Sequence, residues 1–341
     1  MSQSMKSSNL LSYRVTKTVE HPSGYVPIAH LPSVDVVIPT FNSEANLKEC
    51  LRRLRVQRYG GNMHIWIIDG GSTDGTVSVA RAYDCEIRVN PGQYGTGRNG
   101  ARHFGAGLGH GDLIWNLDSD NFLEGVNSVQ HLVRPFLEVP DLAVSVPLIS
   151  VPSHGGFDWW LAYQEKWLLD RLARSGVQCR GYSLVDSPDY GLPNAHIIKR
   201  RIYNLAGGYD GDIRMLARLR MLGLSKSAIV TNSNYLHHQS ESFRNTALKW
   251  IRRVDMFSTM SSDRWNAHWY ERDLSRPTRW LIIRTMLLQV LLAPFIALQG
   301  LVKTRDARCL IGLAYPIVYL GILLNFKSTL RLVLRLKTGR D

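Results

Sequence analysis

Two aspartates one residue apart, Asp118 and Asp120, close an apolar run of strand character, Leu113-Ile114-Trp115-Asn116-Leu117. Alternation along a strand sends both carboxylates to one side unless the backbone turns at Ser119. Anions that close repel, so one takes a proton or a cation sits beside them. At the carboxyl end of a strand in an open α/β sheet, a hard divalent ion carrying a diphosphate is a fitting cation. The plain alternative is a solvated Asp-Ser-Asp turn.

Other residues able to do chemistry stand at the ends of further elements. Thr40-Phe41-Asn42-Ser43-Glu44 and Asp69-Gly70-Gly71-Ser72-Thr73-Asp74 each follow a β-branched run. Their carboxylates and amide can accept from a base N–H or a ribose hydroxyl. For Glu44 and Asp74 the alternative is helix capping and first-turn charge. Gly95, Gly97 and Gly100 satisfy G-x-G-x-x-G, with Asp118 18 residues on, near the offset of a dinucleotide-binding acid. That fingerprint sits after the first strand of its unit, however, whereas this run follows two strand-helix units and its acid arrives as D-x-D. Asp212 precedes Ile213-Arg214-Met215-Leu216, where a carboxylate serves as a general base or as a helix N-cap. His237 and His238 follow Tyr235-Leu236. Adjacent strand residues point opposite ways, so one of the pair is expected to face a ligand.

The elements that must hold these groups are legible in periodicity. Val34-Asp35-Val36-Val37-Ile38 and Ile65-Trp66-Ile67-Ile68 read as buried parallel strands. Leu47, Cys50, Leu51 and Leu54 repeat at helical spacing between them, with Ser43 or Asn42 available to cap the helix. This βαβ rhythm is that of a doubly wound sheet with ligand loops at its strand ends. Phe157 to Leu169 reads as a Trp-rich amphipathic helix, suited to a membrane interface, a sugar site or the core. Cys50, Cys85, Cys179 and Cys309 lack C-x-x-C spacing, which fits a reducing compartment and argues against a zinc site.

Together the motifs resemble family 2 glycosyltransferases. Val-Val-Ile-Pro-Thr-Phe-Asn-Ser-Glu, then Ile-Ile-Asp-Gly-Gly-Ser-Thr-Asp-Gly-Thr, then Arg98-Asn99-Gly100 and D-x-D occur in that family's order. The resemblance implies a GT-A domain, an α/β Rossmann-like fold for nucleotide-diphospho-sugar transfer. It implies donor contacts from Thr40, Asn42, Glu44, Asp69, Arg98 and Asp118. It assigns a divalent metal, Mn2+ or Mg2+, to Asp120 with His237 or His238. Aligning Arg218-Leu219 with the family's acceptor-side helix makes Asp212 the general base. Gly70 and Gly211 stand where members often carry acids, and these departures favour a donor-binding protein without catalysis as the rival reading. The processive Gln/Arg-x-x-Arg-Trp signature is not evident, so addition of one sugar is expected.

The net charge is uneven: residues 240–341 hold 17 Lys and Arg against 7 Asp and Glu, +10 of the total +13. Flanking apolar segments, this basicity reads as attraction to membrane lipids, and no nucleic-acid partner is expected. Thr285–Val302 and Cys309–Phe326, each 18 residues, are candidates for a transmembrane hairpin. Eight basic residues outside it against three in its connection put both flanks in the cytoplasm. The expected plan is a flexible arm to residue 32, a GT-A catalytic domain over 33–245, a basic linker over 246–279, the hairpin over 280–326 and a basic tail over 327–341. The expected partners are a nucleoside diphosphate sugar and a lipid-linked or membrane-associated acceptor, a polyprenyl phosphate being the first choice. The expected location is a multi-pass protein of the cell or endoplasmic reticulum membrane.

Overall fold

A computed structural model describes residues 31–95, 97–152, 157–186, 195–209, 212–238 and 276–313. The expected arm to residue 30, the linker up to residue 275 and the tail lie outside the described residues. Among the described residues one sheet carries ten strands: β1 (Val34–Thr40), β2 (Met63–Asp69), β3 (Glu86–Val89), β4 (Leu113–Asn116), β5 (Asn121–Glu124), β6 (Val144–Ser150), β7 (Val177–Cys179), β8 (Tyr182–Asp186), β9 (Ile197–Lys199) and β10 (Lys226–His237). The order is β3-β2-β1-β4-β9-β6-β10-β8-β7, with β5 paired to β10. Strands β1 to β4 are parallel to one another, and β4 pairs antiparallel with β9. Their carboxyl ends therefore bring Thr40, Asp69 and the segment after Asn116 to one edge.

Helices α1 (Glu44–Arg55), α2 (Thr76–Ala82) and α3 (Arg98–Leu108) follow the first three strands, as the βαβ rhythm predicts. Leu47, Cys50, Leu51 and Leu54 of α1 are all buried, and each apolar side chain so covered contributes roughly 1.5–3 kcal/mol. Capping differs from expectation. Ser43 takes the N-cap position of α1 but its side chain makes no cap bond; Asp74 Oδ2 accepts from the Glu44 N–H at 3.2 Å, while Glu44 Oε2 accepts from the Gly75 N–H at 3.1 Å. Each acid thus serves the other helix's start, and the two loops are tied together. In α3 the absent side chain of Gly105 lets the helix lie on the sheet, since a Cβ there would come within 2.5 Å of Val37 and 2.7 Å of Ile68. Asp35, the one charge inside β1, is buried and ion-paired with Arg200.

Among the described residues the remaining helices are α4 (Ser128–Glu138), α5 (Phe157–Ser175), α6 (Arg200–Leu205), α7 (Asp212–Met221) and α8 (Arg276–Thr304), with a 3-10 helix over Ala307–Leu313. The expected transmembrane hairpin is not seen. Among the described residues no helix is long and apolar enough to cross a membrane. The first expected span belongs to α8, which buries Ala293, Ile296 and Ala297 with Cys309 against Val151 and Tyr163, so protein covers that face. The second begins as the 3-10 helix, and from residue 314 it lies outside the described residues.

Candidate active site

The segment after β4 turns instead of continuing as a strand. The Asn121 N–H donates to the Asp118 carbonyl at 3.0 Å, and the chain reverses into β5. The two carboxylates therefore diverge, contrary to strand alternation. Asp118 meets α3: its Oδ1 accepts from Arg102 Nη2 at 2.5 Å and its Oδ2 from Arg98 Nη1 at 2.9 Å. Arg102 is fully buried, and its Nη1 donates to the Tyr209 hydroxyl at 2.7 Å. Burial alone pushes the Asp118 carboxyl up, but Arg102, Arg98 and His237 outweigh it and hold the group below the usual carboxylate range. The cation demanded by the paired acids is supplied, for Asp118, by the protein itself.

Asp120 meets β10. The β5–β10 register sets Asn121 opposite His237, and His237 Nε2 lies 3.4 Å from Asp120 Oδ2. The other oxygen of Asp120, Oδ1, is buried and has no hydrogen-bond partner among the described residues. His238 donates its N–H to the Asp120 carbonyl at 2.8 Å and stacks its ring on Phe122 with centroids 5.4 Å apart. The pair of histidines is thereby told apart: His237 faces the acid and His238 faces Phe122. Burial disfavours the His237 imidazolium, yet Asp120, with Glu165 and Asp118, more than offsets this and raises its titration above the ordinary histidine value. Glu165, on α5, accepts from the Tyr235 hydroxyl at 3.0 Å.

The loops after β1 and β2 are differently built. Asp69 Oδ1 accepts from Thr40 Oγ1 at 3.0 Å and Ser72 Oγ at 2.6 Å, while Oδ2 accepts from the N–H groups of Gly71 and Ser72 at 2.9 and 2.8 Å. Four bonds fill a carboxylate's acceptor positions, so Asp69 takes a nucleotide donor only by releasing a loop group. Its desolvation is outweighed by these bonds, and its titration falls below the ordinary value. Asn42 sits at φ 47° and accepts from the Thr73 N–H at 2.8 Å. With Glu44 tied to Gly75, the donor-side residues expected from the sequence come together, bonded chiefly to one another.

Asp212 is the first residue of α7; its side chain, like Asp210 and Gly211, lies outside the described residues. Arg102, Tyr209 and Glu165 are the site residues that sequence reasoning missed. The available signal was the spacing of Arg98 and Arg102, four apart on one face of a helix leading to D-x-D.

Among the described residues no group of three His, Cys, Asp or Glu is poised to hold a metal. Asp120 and His237 nevertheless fit one: an unpartnered buried carboxylate oxygen beside an imidazole suits a cation that completes its shell from a diphosphate. Two cavities, of 910 and 450 Å3, share His110, Arg200 and Asn204 and open near the amino ends of β1 and β4. They belong to the opposite edge of the sheet.

Residues 35–191 match the model of glycosyl transferase family 2. An N-acetylglucosaminyltransferase of Bradyrhizobium elkanii is 34% identical over 121 residues, 34% of this chain and 65% of that protein. The chain thus spans just under two thirds of that relative. The glycosyltransferase GlyG of Streptococcus pneumoniae serotype 4 is 27% identical over 244 residues, 67% of this chain and 80% of its own length. The fold is also that of a mannosyltransferase from Pyrobaculum calidifontis solved with GDP-Man and Mn2+, at a TM-score of 0.50 and 16% identity, covering 89% of this chain and 81% of that one. The family match begins in β1 and runs past β8, taking in both loops and the Asp118–Asp120 turn, and over these residues the chain carries a glycosyl transferase family 2 domain.

Proposed function

We propose that the chain moves one sugar from a nucleoside diphosphate sugar to a membrane-associated acceptor by a metal-assisted, inverting single displacement. A polyprenyl phosphate or a lipid-linked glycan is the acceptor class we favour. The observation that carries the reading is the orphaned Oδ1 of Asp120 beside His237 at the ligand edge of the sheet. Leaving such an oxygen unpaired costs about 1–3 kcal/mol, which a cation would relieve.

In this reading Asp120 and His237 hold the divalent metal, Mn2+ or Mg2+. Bound there, the ion offsets the charge of the diphosphate leaving group. His237 must lose its proton to ligate. Arg98, half-exposed and paired with Asp118, is the cation free to swing towards the donor's phosphates, while buried Arg102 keeps Asp118 ionised and fixed. Thr40, Asn42, Glu44 and Asp69 shape the base and ribose side of the site through their mutual bonds. Asp212, at the start of α7, takes the proton of a hydroxyl acceptor as that oxygen attacks the anomeric carbon. A phosphate acceptor is already anionic and needs little base. The catalytic unit is residues 33–245, working on the cytoplasmic side, and the basic, apolar C-terminal part supports a lipid-linked acceptor.

The test is release of nucleoside diphosphate from a panel of sugar nucleotides by protein in native-lipid membranes with Mn2+ or Mg2+. Turnover of one donor, lost in Asp120→Ala and on chelation, is the expected result. Tight donor binding without turnover, with lipid acceptors supplied, would overturn it in favour of a binding protein.

A further inference from the structure

Helix α8 carries an apolar face that no described part of the chain covers. Between Val290 and Val302 every exposed position is apolar: Leu291 is 74% exposed, Phe295 59%, Leu298 52% and Val302 78%. Their spacing of four, three and four residues puts them on one stripe, about 16 Å long at 1.5 Å per residue. The opposite side is protein-bound, with Ala293, Ile296 and Ala297 buried over Val151 and Tyr163. A helix facing water on that stripe would carry polar residues there. Contiguous exposed apolar surface of this kind marks an interaction site.

Charge selects the occupant. Residues 276–313 hold six basic side chains (Arg276, Arg279, Arg284, Lys303, Arg305 and Arg308) against one acid, Asp306. The bases bracket the stripe at both ends, and Lys303 and Arg305, just beyond Val302, are exposed. Apolar side chains flanked by cations match a bilayer surface with anionic headgroups, where the apolar face enters the acyl boundary and the bases meet phosphates. Lys303 also stands over the Tyr163 ring at 5.0 Å, linking the basic end of the stripe to α5, whose Glu165 reaches Tyr235 near the Asp120–His237 pair.

We infer that α8 lies flat on an anionic membrane through Leu291, Phe295, Leu298 and Val302, docking the catalytic unit beside a lipid-borne acceptor. The inference deepens the proposed membrane-associated acceptor and rests on it only for the purpose of docking. It differs from the hairpin expectation in that the helix is seated on the surface, its inner face kept against the protein.

The test is flotation of the full chain with vesicles of phosphatidylcholine alone and of phosphatidylcholine with about one third phosphatidylglycerol. The wild type is expected to float with the anionic vesicles, more weakly with neutral ones, and a variant carrying L291Q, F295Q, L298Q and V302Q to partition at least about tenfold less. Donor affinity, measured on the same samples, should be unchanged, which shows that the variant is folded. As a second readout, a photo-crosslinking residue in place of Phe295 should label lipid. Absence of vesicle binding by the wild type would overturn the inference. So would cross-links from position 295 to residues 314–341, or to a second copy of the chain. Donor turnover by a wild type that does not bind vesicles removes this inference alone, whereas docking without turnover of any donor removes the transferase reading and leaves docking in place.

Discussion

The two halves of the ligand edge are built on opposite terms. After β1 and β2, the polar groups of Thr40, Asn42, Glu44, Asp69 and Asp74 bond to one another and to backbone N–H groups. At the turn after β4, full charges face each other: Asp118 against two arginines and Asp120 against His237, with one carboxylate oxygen unpartnered. The first half is a finished scaffold. The second offers a donor set that suits a cation. Residue type alone does not separate these roles, since Asp69 and Asp120 are both acids at strand ends; hydrogen-bond saturation does.

Substitutions should expose that difference, most strongly within the turn itself. Asp118→Ala removes the carboxylate paired with the buried Arg102 charge, and is expected to cost about 3–5 kcal/mol in denaturant unfolding. Asp120→Ala should cost less in unfolding than Asp118→Ala, because it removes only the pH-dependent pair with His237, and lower turnover by about a hundredfold to a thousandfold. If the two swapped profiles, the division of labour would be reversed. Asp69→Asn replaces one of the two acceptor oxygens, so that two of the four donors face an amide NH2, and should destabilise by roughly 1–3 kcal/mol. Glu44→Gln, which weakens one cross-helix cap, should cost about 1 kcal/mol or less. Large turnover losses for either with unchanged stability would make the donor loops chemical groups and erase the contrast.

The smallest effect is a pH dependence. The folded His237 titrates above its unfolded value, so the charged pair with Asp120 contributes stability that is full below the ordinary histidine value and is lost as pH rises through the raised one. Unfolding of the metal-free protein should show that loss, and His237→Asn should flatten it. Metal affinity should run the other way, rising over the same interval as the ring deprotonates.

Much of this was legible in the sequence. The β-branched runs at Val34–Ile38 and Ile65–Ile68, separated by the Leu47, Cys50, Leu51, Leu54 pattern, specified the parallel sheet because burial on both faces demands apolar strands. The importance of Asp118 and Asp120 followed from charge spacing, but their separation did not, because a turn at Ser119 depends on β5 pairing with the distant β10. An arginine inside a helix gives no sign of burial by its type alone; Arg102 is buried through tertiary packing against Tyr209. The apolar run in α8 was visible, yet hydropathy cannot tell a face covered by protein from one covered by lipid. Exposure at Leu291 and burial at Ala293 are facts of packing.

Most direct for the central claim is a titration of Mn2+ followed by electron paramagnetic resonance, in the presence of UDP and, separately, GDP. The account predicts saturable binding by the wild type and by His238→Ala, weakened at least about tenfold in Asp120→Ala and His237→Ala. Binding that is indifferent to Asp120 and His237, or equally sensitive to His238, would contradict it.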